Sequence, residues 1–232
     1  MSTDDFTVLV VCTGNVNRSA LGAALLDTWA KWYLPRERID EVRVTSAGLR
    51  APVGNRMGRR ARAIANVLGA DGSRHRAAQI DEGAIRSADL VLVSSADQRE
   101  AVLGLVPAAL RWTFTIREAG RIAEGLSATL PPASVDEMRD RVALLARNRT
   151  VQAGAAHDDD IIDPQGKDDE AYRLMTRQEV PPLARVARLL FGMPDTEIRA
   201  YDEVAGAAAF RFAEDEATLE STAERDRGRH QS

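Results

Sequence analysis

The chain of 232 residues is 44% hydrophobic and 28% charged, with a formal net charge of −4. That balance describes a soluble domain of ordinary size with some excess, and excludes a general attraction to nucleic acid or to anionic membranes. A single cysteine rules out an internal disulfide, the start Met1-Ser2-Thr3-Asp4-Asp5 lacks a basic and then apolar leader, and no membrane helix is expected, so a reducing cytoplasm is the expected setting.

Phe6 to Val11 is a short, valine-rich run between acids and Gly14-Asn15, the pattern of a strand buried on both faces. From Arg18 to Leu34, Leu21, Leu25, Trp29 and Trp32 recur at helical spacing, and Pro35 stands just past the end. Val42 to Ser46 predicts a second strand ending in Ala47-Gly48, and the arginine-rich stretch Met57 to Leu68 predicts a helix that stops at Gly69. Asp89 to Ser94 predicts a third strand and Trp112 to Ile116 a fourth. Strands alternating with helices imply a parallel, right-handed doubly wound sheet. The expected fold is therefore a single Rossmann-like α/β domain with four parallel strands flanked by helices, plus an inserted helical segment and a C-terminal extension.

The insertion, at about 117–157, is read from helical patterns over Arg117 to Leu126 and Ser134 to Arg149, joined at Leu130-Pro131-Pro132 and followed by a loop from Ala153 to Asp160. A longer helical pattern from Glu170 to Phe191 contains Pro181-Pro182, a kink or a helix boundary. Gly192-Met193-Pro194 then closes the domain, 1–194. Residues 195–232 carry ten acids against five arginines and read as a separate acidic extension, helical from Asp202 to Leu219 or partly disordered. Phe210 and Phe212 mark a sticky point there, where self-association into a homo-oligomer would start.

Cys12 falls where the first strand ends, at the carboxyl edge of a parallel sheet, which is where open α/β sheets bind ligands. The backbone N–H groups of a short loop from Thr13 to Arg18 can converge on an anion, and the following helix adds partial positive charge. The same field stabilises a thiolate and makes Cys12 a nucleophile. Arg18, separated from Cys12 by loop alone, can offer its planar fork to two phosphate oxygens above the sulfur. A cysteine after a buried strand is by itself an ordinary small core residue. Followed by arginine and serine across a glycine-containing loop, it becomes a phosphate-binding pattern. Expelling an oxide from phosphorus also needs a proton donor. Asp163 in Ile161-Ile162-Asp163-Pro164 is the candidate, because the proline holds it in an extended, stiffened loop. After attack it would take a proton from the water that hydrolyses the phosphocysteine.

At Val11, Cys12, Gly14, Asn15, Arg18 and Ser19 the chain resembles the low-molecular-weight protein tyrosine phosphatases. Thr45-Ser46-Ala47-Gly48, His75-Arg76-Ala77 and Ser94-Ser95-Ala96-Asp97 extend the likeness over most of residues 6–192. The resemblance implies a phosphomonoester hydrolase that needs no cofactor and acts on phosphorylated protein, phosphotyrosine first. It implies Cys12, Arg18 and Asp163 as catalytic residues, and Thr13, Gly14, Asn15, Val16, Asn17 and Ser19 as the phosphate-binding loop. Ser46 and His75 are implied to join Asn15 and Ser19 in a hydrogen-bonded support of that loop, with the Ser19 hydroxyl donating to the Cys12 sulfur.

The chain departs from the family's pattern in three places. Asn17 stands where a second loop cysteine is usual, so Cys12 has no neighbouring thiol for a protective disulfide. Ala20 stands where proline is common. The aromatic walls of phosphotyrosine-cleaving relatives are missing from Gln165-Gly166-Lys167 and from Leu49-Arg50-Ala51-Pro52-Val53, although Val16 keeps an apolar side chain that favours an aryl group over a guanidinium. Two other readings stay open: an arsenate reductase using an external small thiol, and a non-catalytic phosphate-binding or scaffold protein. No nucleotide-binding glycine fingerprint is present. The three histidines lie far apart, and His157 beside Asp158-Asp159-Asp160 reads as a solvated loop, so no metal is expected.

Overall fold

The valine-rich run forms β1, Phe6–Cys12, in a computed structural model that describes residues 5–126, 130–149, 159–208, 210 and 212. Side chains alternate across a strand, so Phe6, Val8 and Val10 enter one apolar layer and Leu9 and Val11 the other. The strands β2 (Val42–Gly48) and β3 (Leu90–Val93) flank β1, and β4 (Thr113–Thr115) completes a parallel sheet of order β2-β1-β3-β4. In register Cys12 faces Gly48, and Val11 faces both Ala47 and Val93, so three strand ends meet at one edge.

The first layer is covered by α1 (Arg18–Tyr33), with Leu21, Leu25 and Trp29 fully buried. After the single turn α2 (Arg36–Ile39) and β2, α3 (Arg59–Val67) adds Ala61, Ile64 and Ala65 to the same layer. The other face is closed by α4 (Glu82–Arg86), α5 (Ala96–Leu105) and a 3-10 turn over Pro107–Arg111, through Ile85, Val102 and Ala109. The remaining helices α6 (Ile116–Glu124), α7 (Val135–Arg147), α8 (Asp169–Phe191) and α9 (Asp195–Ala207) all return to the first layer.

Three expectations change. Of the two expectations at Pro181-Pro182, a kink or a boundary, the boundary is not found: α8 runs 23 residues through both prolines. Each proline removes an N–H donor, but Val180, Leu183 and Ala184 beside them are fully buried, and Arg185 Nη1 donates to the Pro181 carbonyl at 2.9 Å. Burial of that face holds the helix together. The expected insertion begins with a core element, since Ile116, Ala119 and Ala123 of α6 are fully buried and the helix packs along α8. Residues 150–158, including most of the expected loop and His157, lie outside the described residues.

The acidic extension also begins inside the fold. Its helix is Asp195–Ala207 rather than Asp202 to Leu219, and Ile198, Tyr201 and Ala205, spaced by three and four residues, form its buried stripe. Tyr201 meets Trp29 edge-on at 4.8 Å, and Asp202 pairs with Arg185 at 2.7 Å. Packing therefore continues across the boundary expected at residue 194. Phe210 is buried and Phe212 meets Tyr172 edge-on at 6.0 Å. Residues 213–232, on which the rest of the predicted helix falls, lie outside the described residues.

Candidate active site

Between the end of β1 at Cys12 and the start of α1 at Arg18, the backbone loops over the edge where three strands end. Gly48 and Gly58 let two neighbouring segments approach it closely. A β-carbon on Gly48 would stand 2.8 Å from the Thr13 carbonyl, and one on Gly58 would fall on the Asn17 side-chain oxygen. Asn15 has a φ of 51°, in the left-handed region that asparagine tolerates better than most residues. This turn aims its N–H at the Cys12 Sγ, 3.2 Å away. Ser19 Oγ lies 2.9 Å from the same sulfur and accepts from Asn15 Nδ2 at 2.9 Å. Its own proton is thus left for the sulfur or for the Ala47 carbonyl, the latter at the longer distance of 3.5 Å.

Asn15 is held from behind. Its Oδ1 accepts from the Ala78 N–H at 2.8 Å, and its carbonyl oxygen lies 2.7 Å from His75 Nε2. A carbonyl only accepts, so this ring nitrogen carries the proton. Burial lowers the His75 pKa, against the opposing pull of that carbonyl. His75 therefore meets Asn15 through the backbone. Ser46 is half-buried on β2 opposite Val10, and no hydrogen bond joins its hydroxyl to the loop among the described residues. The contact between loop and β2 runs instead from Ser19 to Ala47. Asn15→Gly should keep the backbone and lose both side-chain bonds, whereas Asn15→Ala adds the strain of a β-carbon at positive φ, roughly 1–2 kcal/mol. Thermal unfolding should rank wild type above the glycine variant and that above the alanine variant; equal stability of all three would remove this role.

Arg18 is 5% exposed, with Nη1 donating to the Ile161 carbonyl at 3.1 Å and Nη2 paired with Asp163 Oδ2 at 2.5 Å. The Asp163 loop is fixed at several points. Ile161 N–H bonds to the Ser94 carbonyl at the end of β3, and Ile162 N–H to Gln178 of α8 at 2.8 Å. Asp163 Oδ1 accepts from the Gln165 N–H, and Gln165 Oε1 accepts from Asn17 Nδ2 at 2.9 Å. Asn17, which stands where the resembled family usually has a second loop cysteine, thus ties the Cys12 loop to the Asp163 loop. Thr13 Oγ1 accepts from Gln98 Nε2 at 3.2 Å, while Gln98 Oε1 holds the Ser94 N–H. Gln98 was not visible as a site residue because it lies on α5, just after the Ser94 to Asp97 stretch.

Cys12, Thr13, Gly14, Val16, Asn17, Arg18 and Asp163 surround a cavity of about 290 Å³ that is completed by Pro52, Asn55 and Gln165. Among the described residues that line it, none is aromatic. Asn17 caps α1 without a side-chain hydrogen bond, so the first N–H groups of the helix stay open toward the loop. A thiol sulfur, loop N–H groups, a guanidinium and a carboxyl group share one small space. Such a set can bind an oxyanion and move one group from it to sulfur.

Residues 7–117 match the profile of the family described as Low molecular weight phosphotyrosine protein phosphatase. The probable low molecular weight protein-tyrosine-phosphatase EpsP of Ralstonia nicotianae is 34% identical over 112 residues, 48% of this chain and 71% of that protein. The protein-arginine-phosphatase of Geobacillus stearothermophilus is 29% identical over 113 residues, 49% of this chain and 70% of its own. The solved structure of the YwlE arginine phosphatase from the same organism superposes with a TM-score of 0.53 at 26% identity, covering 79% of this chain and 91% of that one. With the sheet order, the loop and this degree of likeness in agreement, the chain belongs to the low molecular weight phosphotyrosine protein phosphatase family.

Proposed function

We propose that this chain removes phosphate from phosphotyrosine in proteins through a phosphocysteine on Cys12. One contact carries the reading: the ion pair of Arg18 with Asp163 in the cavity that holds the sulfur. An entering phosphate takes the place of the Asp163 carboxylate on Arg18, and its oxygens are met by the guanidinium fork, the loop N–H groups and the open end of α1. The sulfur then bonds to phosphorus as the phosphorus–oxygen bond to the leaving group breaks. Asp163, protonated for this step, gives its proton to the departing oxygen. Water next attacks the phosphocysteine, Asp163 takes its proton, and the Ser19 hydroxyl stabilises the departing sulfur.

The names of relatives span tyrosine and arginine phosphatases. Tyrosine is favoured here by Val16 and Pro52, apolar sides that suit a ring and offer a guanidinium nothing to bond with. A second groove of about 630 Å³ shares Thr13, Arg18 and Asp163 with the cavity and runs past Arg50, Gln79, Asp97 and Leu105, which gives room for polypeptide around the phosphorylated residue. Chemistry that depends on the chain's one thiol suits a reducing compartment such as the cytoplasm. Rates on phosphotyrosine, phosphoserine and phosphoarginine peptides, with Cys12→Ser as blank, test the assignment. Phosphotyrosine should be fastest, with inhibition by orthovanadate and none by chelators. A preference for phosphoarginine would reassign the substrate, and arsenate turnover with a small thiol that outpaces phosphate release would replace the reaction.

A further inference from the structure

Glu179, in the middle of α8, has no solvent exposure, and neither of its carboxyl oxygens has a hydrogen-bond partner among the described residues. An unpaired buried carboxyl is unfavourable where a leucine would fit, so its presence calls for a reason. The side chain points at α1: its Oε1 lies 2.9 Å from where a β-carbon on Gly22 would stand. Gly22 follows Arg18 by one helical turn, on the same face of α1. Arg18 Nε is buried and likewise lacks a partner, while its other two nitrogens hold Ile161 and Asp163. An unpartnered acid therefore packs against α1 one helical turn beyond an arginine whose Nε is also unpartnered.

Charged and titratable groups on the other packed elements are engaged elsewhere. Glu118 of α6 pairs with Arg99 and Arg149, and Arg141 of α7 pairs with Glu137. From α9, Asp202 pairs with Arg185, and the Tyr201 hydroxyl bonds to the Leu68 carbonyl. Arg60 of α3 pairs with Asp169, and Cys12 at the end of β1 is held by Asn15 and Ser19. Burial, opposed by the Arg18 charge, raises the Glu179 pKa well above the usual carboxylate range.

Resting on the reading of Arg18 as the phosphate holder, we propose that Glu179 is a positioning residue whose proton sets how much of the Arg18 charge reaches the phosphate. Protonated Glu179 leaves that charge to the ligand; ionised Glu179 competes for it. By reciprocity, phosphate binding draws a proton from solvent onto Glu179, with no change in any bond to phosphorus. Phosphate affinity should then fall as pH rises through the Glu179 ionisation, because the protonated form binds better.

The test is calorimetric titration with inorganic phosphate in two buffers of different ionisation enthalpy, on wild type and Glu179→Gln, from acid to mildly alkaline pH. Wild type should lose about tenfold more affinity than the variant across the range in which Glu179 ionises, and take up a proton there that the variant does not. Equal proton counts and parallel profiles would overturn the proposal while leaving the phosphate site standing. Failure of both proteins to bind phosphate would remove the reading of Arg18, and this proposal with it. Should Glu179→Gln not fold, the infrared difference spectrum of Asp163→Asn with and without phosphate decides. Growth of a protonated-carboxyl band on binding supports the role, and an unchanged band overturns it.

Discussion

Cys12→Ser should lower hydrolysis of p-nitrophenyl phosphate by roughly 10⁴- to 10⁶-fold, the scale seen when a nucleophile that works as a unit with its neighbours is removed. The serine oxygen would meet the same two groups as the sulfur, the Asn15 N–H and Ser19 Oγ. Those donors stabilise an anion, and an alcohol forms one far less readily than a thiol does. Arg18, the loop N–H groups and the N-terminus of α1 are untouched by the change, so inorganic phosphate should still bind. Loss of turnover with retained binding separates the nucleophile from its pocket. Substantial residual turnover would instead place the covalent step on another atom or remove it.

Asp163→Asn should slow the same reaction by about 10²- to 10⁴-fold, the range for a positioned group that gives a proton in one step and takes one in the next. The amide keeps the shape of the side chain, but its single oxygen can replace only one of the two carboxylate oxygens, Oδ2 beside Arg18 Nη2 or Oδ1 beside the Gln165 N–H. It cannot give up a proton. The loss should therefore grow with the basicity of the leaving group, larger for phosphotyrosine than for p-nitrophenyl phosphate. The variant also removes the carboxylate that competes with phosphate for Arg18, so phosphate should bind more tightly to it than to wild type. An unaltered rate on both substrates would move the acid role away from Asp163.

What could be read from the residues follows from how local the signal is. β1, the loop and α1 form one uninterrupted stretch in which valines, a glycine, a thiol and an arginine stand in order, so both the sheet and the anion pocket were visible there. Asp163 was visible only because a proline follows it, and His75 only through the family likeness. Its contact is with a backbone carbonyl that no side-chain pattern reports. Ser46 was expected in the same network, yet the β2 contact falls to Ala47 through its carbonyl. Tertiary packing overrode local reading at Pro181-Pro182, where buried neighbours hold a helix that the prolines weaken. It did so again at Asp195 to Ala207, where acidity and alanine masked a stripe of three buried side chains. Gln98 and Glu179 were not legible, since each is significant only through a partner far away in the chain.

The most direct measurement is a rapid acid quench of Asp163→Asn mixed with p-nitrophenyl phosphate, followed by peptide mass spectrometry. A good leaving group departs with little help, whereas hydrolysis of the intermediate still needs a base, so the phosphoryl-enzyme should accumulate. One added phosphoryl group should appear on the peptide that contains Cys12 and be absent from the Cys12→Ser, Asp163→Asn double variant. Release of p-nitrophenol with no phosphoryl group on Cys12 at any quench time would contradict the phosphocysteine mechanism.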